Sequence, residues 1–390
     1  MRTILLFSLE SINNVGDEIL RATTEYLIKS VSPNLEIDVM QLKPRKTDVC
    51  GSYKIDWAAG RLVRLFTNFI HGKTLSYKIR NFSYIIAYGR LFESKIRRAD
   101  KIILPIGMLK YSTQDFCYLF HLINKLATKY HKDVMMSAMS PQVPNRRDWR
   151  YHLLVKAANF PSVKMVTTRD GMAGAEIIKS DYLKREIECD FVGDPALWIP
   201  ETYKVKKENG CNGVPYVGIN IIRKGIFKDY NNSSTDEQLK CFYINLIRLL
   251  EQKHWRWSVF CNGMLSDMRV INELQTELGF SAEHIVNNFT DGKSYAEIVS
   301  NFDVVFGARL HSCITSVAVG TPVVGFIWED KLKYFSDTMG IRQFFFNPSD
   351  MTEEKVIAAL EKAMKFDFDY SNRDFYKFKT KESIQKFLES

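Results

Sequence analysis

No two of the seven cysteines stand as C-x-x-C, and their number is odd. The spacing of Cys50, Cys117, Cys189, Cys211, Cys241, Cys261 and Cys313 fits neither a zinc site nor a disulfide framework, which points to reduced thiols in a cytoplasmic protein. No apolar run approaches the roughly 20 residues of a membrane span. The first apolar run, within MRTILLFSLE, is only about five residues long and lacks a small-residue cleavage site, so it reads as a buried strand and not as a signal peptide. Neither G-x-G-x-x-G nor G-x-x-x-x-G-K-[ST] occurs, which removes the usual nucleotide signatures. G-x-S-x-G and H-E-x-x-H are also missing, which weakens serine hydrolase and zincin readings. A single D-x-D, Asp367 and Asp369, lies near the C-terminus outside any strand-end loop and reads as surface.

What is present is ordinary globular material in a long chain. The 390 residues are 46% hydrophobic and 25% charged, enough for a substantial core and long enough for two domains. The net charge is +9, and residues 61–101 hold most of it, with ten Lys and Arg against Glu93 and Asp100. Tyr77, Phe82, Tyr84, Tyr88 and Phe92 are interleaved there. Such a segment suits an amphipathic surface that meets anionic lipid or a phosphorylated substrate, or else a solvated helix face. No nucleic-acid motif accompanies the charge, so no nucleic-acid partner is expected.

Short apolar runs alternate with helical periods. TILLFS, LEIDVM, KIILPIG, DVMMSAMSP, VKMVTTRDG and CDFVGDPALWIP read as strands of a first series. ETYKVKKENGCNG, residues 201–213, is the best linker. A second series follows with YVGINII, WRWSVFC and HIVNNF, and ends in a tail of two helices from about Thr352. The expectation is α/β: two Rossmann-like domains facing across a cleft, at 1–200 and 214–390, the second carrying the helical tail.

The stretch from Asn301 to Lys333 reads as strand, turn, helix, turn, strand. FDVVF precedes Gly307, SCITSVAVG is small and apolar, and VVGFI returns as a buried strand after Gly320 and Pro322. In such a βαβ unit Arg309 and His311 lie at a strand's carboxyl end and a helix's amino end, where open α/β sheets bind anions. Arg309 suits a bidentate grip on a carboxylate or phosphate, His311 a proton transfer near neutral pH, and Lys331 a second cation just past the returning strand. Other strand-end groups are Arg169, Asp170 and the NNVGD loop with Asn14, Gly16 and Asp17. The loop reads either as a capping turn with Asp17 as the cap or as part of a ligand cleft. No metal site is visible and no cofactor is expected.

GARLHS with GTPVVGFIWEDK resembles the signature of polysaccharide pyruvyl transferases, with an Arg-x-His pair and a later Lys. NNVGDEIL is similar to that family's N-terminal Asn-x-Gly-Asp loop, and TTRD and GDPAL to its middle motifs, in order over about residues 13 to 335. Where the family often carries a Gly-rich loop this chain has LPIGMLKYS, and only Gly107 fits. The resemblance implies a GT-B-like fold and transfer of the enolpyruvyl carbons of phosphoenolpyruvate onto two hydroxyls of a sugar, as a ketal. It assigns His311 as acid/base, Arg309, Arg169 and Lys331 to the anionic groups, and Asn14, Gly16, Asp17 and Asp170 to the acceptor side. Segment 61–101 adds the expectation of an acceptor carried on a membrane lipid, with peripheral contact at the inner face. A nucleotide-sugar glycosyltransferase and a catalytically silent sugar- or anion-binding protein remain open.

Overall fold

A computed structural model describes residues 2–9, 14–70, 72–113, 115–207, 213–229 and 235–390. Cys211, Asn13 and the stretch 208–212 of the expected linker fall outside the described residues. The chain divides into two compact units. The first comprises Met1–Ser11, Thr24–Gly193 and Lys379–Ser390, the second Ile12–Thr23 and Asp194–Phe378.

In the first unit six strands pair in parallel: β1 (Thr3–Ser8), β2 (Glu36–Gln41), β3 (Lys101–Leu104), β4 (Asp133–Met136), β5 (Val163–Thr168) and β6 (Glu188–Phe191). Their order is β2-β1-β3-β4-β5-β6. The strands are short apolar runs because both faces of a parallel sheet are covered. Helices α1 (Val15–Val31), α2 (Tyr53–Phe66), α3 (Lys73–Arg98), α4 (Phe116–Lys129), α5 (Trp149–Ala158) and α6 (Gly171–Ile177) join them. Residues 61–101 therefore fall on a helical pair, α2 and α3, which divides their aromatics and cations between two helices. Tyr84, Tyr88 and Phe92 recur every fourth residue of α3 and are buried, with Phe92 edge-on to Phe7 at 5.2 Å and Tyr84 stacked on Tyr118 at 5.6 Å. Several cations of the segment are met by acids: Lys95 by Asp38 at 2.9 Å, Arg90 by Asp56 at 3.2 Å and Arg80 by Asp115 at 3.1 Å. Three of the five aromatics are thus core while Phe82 is exposed, and part of the segment's charge is met by acids from outside it.

The second unit has a parallel sheet of β7 (Tyr216–Asn220), β8 (Arg256–Phe260), β9 (Val304–Gly307), β10 (Val323–Phe326) and β11 (Phe345–Phe346), in the order β11-β10-β9-β7-β8. Its helices are α7 (Ile199–Tyr203), α8 (Ile226–Asp229), α9 (Asp236–Gln252), α10 (Leu265–Leu278), α11 (Gly292–Ser300), α12 (Leu310–Val319), α13 (Asp330–Thr338), α14 (Glu353–Lys365) and α15 (Ser371–Glu389). The 301–333 stretch has the expected form: β9 and β10 are parallel, with Val323 beside Val305. HIVNNF is not a strand. Ile285 makes one bridge to Val259, and then the Asn287 side chain replaces backbone as acceptor for Cys261 N at 2.8 Å, which ends the pairing.

Two helices pass from one unit to the other. The start of α1 belongs to the second unit, where Val15 and Ile19 join its core. The end of α15 belongs to the first. There Thr380 Oγ1 donates to Gly193 O at 3.0 Å, and Lys101 Nζ donates to Phe387 O at 2.6 Å. The expected second domain therefore gives up Lys379–Ser390, because these contacts tie the last turns of the tail to the first sheet.

Candidate active site

In the second unit the strand order reverses between β7 and β9. The chain goes from β7 to β8 on one side, then crosses to β9 on the other. The crevice outside the carboxyl ends of two such strands is the usual ligand position in an open α/β sheet. Arg309 and His311 follow β9 directly, and His311 sits in the first turn of α12, where the helix presents its positive end.

The loop between β9 and α12 is held from three sides. Asn220, the last residue of β7, accepts from Arg309 N through Oδ1 at 2.9 Å. Trp328, just past β10, donates through Nε1 to Ala308 O at 2.7 Å. Ser312 Oγ closes the first turn on Arg309 O at 2.6 Å. A second asparagine extends the network. Asn262, after β8, accepts from Asn220 Nδ2 at 3.2 Å and from the buried Tyr295 hydroxyl at 2.9 Å, while its carbonyl accepts from Val15 N at 3.0 Å. Residues 14–17 of the NNVGD loop are thereby pinned to the sheet that carries His311. Two buried amides with their partners satisfied fix a geometry that loose apolar packing would leave free.

That pinning brings Gly16 and His311 into contact. A Cβ on Gly16 would lie 2.2 Å from His311 Nδ1, so only glycine fits against the ring. Asn14, and not Asp17, caps α1: its Oδ1 accepts from Gly16 N at 3.3 Å, and its Nδ2 donates to Asp17 Oδ2 at 3.1 Å. Asp17 is buried in the first turn, a favourable place for a carboxylate.

The two expected cations of this site are each met by an acid. Arg309 reaches Asp267 through both Nε, at 3.0 Å, and Nη2, at 2.5 Å. Asp267 is completely buried and also accepts from Arg223 N at 3.0 Å. The bidentate grip expected of Arg309 is therefore spent inside the protein, and only its Nη1 edge remains for an outside anion. Lys331, on α13, pairs with Glu329 at 2.7 Å and lies over the Trp328 ring at 5.8 Å.

Arg169 and Asp170 belong to the first unit, after β5. Arg169 donates to Gly107 O at 3.2 Å and lies 3.4 Å from Ser140 Oγ. The buried Asp170 accepts from Ser140 Oγ at 2.8 Å, and its own N–H donates to Thr168 Oγ1 at 3.1 Å. Asn220, Asn262, Asp267 and Tyr295 were not among the expected residues. The asparagines left a signal: each is the polar residue that ends an apolar strand run, in YVGIN and WSVFCN. Asp369 caps the start of α15 by accepting from Ser371 N at 2.8 Å, and both members of the D-x-D are exposed.

A family model described as polysaccharide pyruvyl transferase matches residues 14–330. No protein of curated function matches the sequence. Solved structures share the architecture at low identity. UDP-GlcNAc 2-epimerase from Methanocaldococcus jannaschii is 11% identical with a TM-score of 0.60, over 100% of this chain and 99% of that one. A putative UDP-N-acetylglucosamine 2-epimerase from Listeria monocytogenes is 10% identical with a TM-score of 0.58, over 100% and 97%. Arabidopsis thaliana UGT89C1, complexed with UDP, is 10% identical with a TM-score of 0.51, over 98% and 94%. The likeness is one of fold: two Rossmann-like α/β units of the GT-B kind.

Proposed function

The chain belongs to the polysaccharide pyruvyl transferase family, and from that premise we propose that it transfers the pyruvyl group of phosphoenolpyruvate to a sugar of a surface polysaccharide or of its lipid-linked precursor, in a cytoplasmic setting. The observation that carries this reading is the placement of His311 in the first turn of α12, at the strand-order reversal and against Gly16.

The chemistry asks for one proton donor beside an anion site. A proton goes to the methylene carbon of phosphoenolpyruvate, and the neighbouring carbon becomes electrophilic. One sugar hydroxyl adds there and loses its proton. Phosphate leaves, and a second hydroxyl closes the ketal, so the products are a cyclic ketal and inorganic phosphate. His311 is assigned to deliver the first proton and to take up one released by the hydroxyls. The positive end of α12 and the Nη1 edge of Arg309 are assigned to the anionic groups, with Lys331 as the further cation. Asp17, held by Asn14, is assigned to orient an acceptor hydroxyl, with Gly16 letting the loop close onto the His311 ring. Arg169 and Asp170 keep their expected assignments, to an anionic group and to an acceptor hydroxyl.

The test pairs binding with turnover. Phosphoenolpyruvate, and not a UDP-sugar, is expected to raise the melting temperature, and phosphate release in the presence of a sugar acceptor is expected to vanish in His311→Asn with the melting temperature retained. Stabilisation by UDP-sugar alone would overturn the donor, and near-normal turnover of the variant would overturn the role of His311.

A further inference from the structure

Helix α2 is inside out. Ile55, Ala58, Ala59, Leu62, Leu65, Phe66 and, one turn past its end, Phe69 recur at the spacing of one helical face, and all are exposed. The five large ones are between 53% and 79% exposed. The opposite face is the packed one. Gly60 lets α2 close onto α3, since a Cβ there would lie 2.5 Å from both Ala87 Cβ and Ser83 O. A water-facing helix of a soluble domain normally shows the reverse pattern.

Beside this stripe lies a cavity of about 540 Å³. Arg45, Lys46, Arg61, Arg64 and Arg80 line it with Trp57, and no carboxylate is among its lining residues. Asp115 meets Arg80 from outside the lining, and Arg64 lies over the Tyr84 ring at 3.9 Å with Nε 3.3 Å from Ser83 Oγ. Arg61 lies over the Trp57 ring at 5.3 Å, so Arg61 and Arg64 are both held by aromatic rings at a cavity that no carboxylate lines. Leu65 belongs to both features, so the cavity opens where the stripe runs.

We propose that α2 docks on a membrane surface: its apolar stripe enters the bilayer interface, and the basic cavity beside it takes the phosphate of an anionic phospholipid headgroup. Apolar side chains with cations alongside match that surface in both polarity and charge. Neither half suffices. A stripe alone fits any apolar partner, and five cations alone fit any phosphate. Together they select an anion that is attached to a hydrocarbon chain. This deepens the lipid-linked part of the proposed function and is independent of the donor assigned to His311.

The test is sedimentation of the full chain with vesicles of phosphatidylcholine, with and without phosphatidylglycerol. Binding is expected only with phosphatidylglycerol and is expected to weaken as salt rises. The pair Phe66→Ser and Phe69→Ser, both exposed, is expected to weaken it by more than about tenfold with the melting temperature kept. Lys46→Glu with Arg61→Glu is expected to do the same. Full vesicle binding by the serine pair would overturn the inserted stripe. Stabilisation by inorganic phosphate with no vesicle binding would show a small-anion site and overturn the lipid. A dimer in sedimentation equilibrium that the serine pair dissociates, without vesicle binding, would show that a second copy covers the stripe. The two readings fail separately: the serine pair is expected to keep the phosphoenolpyruvate-induced melting shift, and His311→Asn is expected to keep vesicle binding.

Discussion

Gly16 packs against the imidazole of His311 so closely that a single added methyl group would lie 2.2 Å from Nδ1. The two residues are far apart in sequence and meet because Asn262 anchors Val15 N beside the loop that Asn220 anchors. Gly16→Ala is therefore expected to push the ring from its position. A displacement of about 1 Å costs on the order of 100-fold in rate, while the helix itself tolerates alanine well. The expected outcome is a large loss of turnover with the melting temperature within a few degrees of the parent. Equal loss of both would mean that Gly16 matters only for folding.

Asp267 and Arg309 form a buried pair in which the acid has no exposed surface. Removing one partner of such a pair leaves the other charge buried and typically costs about 3–5 kcal/mol. Asp267→Ala is expected to show that loss in chemical denaturation. Arg309→Ala is expected to lose stability as well as activity, so it cannot by itself report on catalysis. The double variant Asp267→Leu with Arg309→Met is expected to recover much of the stability and none of the turnover.

The parallel α/β order of both units was legible, because short apolar runs and helical periods alternate with few interruptions. The position of Arg309 and His311 at a strand end was legible for the same reason. Asp267 was not. Its partner lies 42 residues away, and an aspartate in the first turn of a helix looks like an ordinary favourable charge. The burial of one side of α3 was not legible either, since a count of cations and aromatics does not say that Tyr84, Tyr88 and Phe92 share one side. The strand expected at 284–289 failed because an asparagine side chain takes the place of the backbone acceptor. Both kinds of failure come from long-range partners, which local pattern does not encode.

Burial holds the His121 imidazole down at about 4, with Lys156 and Lys125 acting in the same direction. The folded value lies below the unfolded one of about 6.5. The unfolded chain therefore binds the extra proton first, and stability falls as pH drops from about 6.5 to about 4. His121→Phe keeps an aromatic ring beside Phe160 and removes the titration. Denaturation at pH 7.5 and at pH 5 is expected to show the parent losing up to about 2 kcal/mol more than this variant. Parallel losses would exclude His121 as the source.

Among the described thiols Cys50 and Cys241 are exposed, and Cys117, Cys189, Cys261 and Cys313 are buried. Burial pushes Cys117 and Cys313 up to about 12 and Cys189 and Cys261 up to about 11. The thiolate is the reactive form, so alkylation of the native protein at pH 8 is expected at Cys50 and Cys241, and at the other four only in denaturant. Peptide mass spectrometry reads this directly. Early labelling of Cys313, which follows His311 on α12, would show that the first turn of that helix opens.

Glu329 lies 2.7 Å from Lys331 Nζ, and both side chains are mostly buried. With Asp267 already opposing Arg309, the two cations assigned to the proposed phosphoenolpyruvate donor are each met by a nearby acid. A carboxylate beside an anion site weakens anion binding, and one unit charge there is worth on the order of 1 kcal/mol or more at the effective dielectric of a protein. Glu329→Gln keeps the shape of the side chain and removes its charge. It is expected to tighten phosphoenolpyruvate binding by roughly fivefold in calorimetry, which corresponds to about 1 kcal/mol, and Lys331→Met is expected to weaken it. If Glu329→Gln leaves the affinity unchanged, Lys331 does not face the donor, and the anion rests on the start of α12 and Arg309 alone.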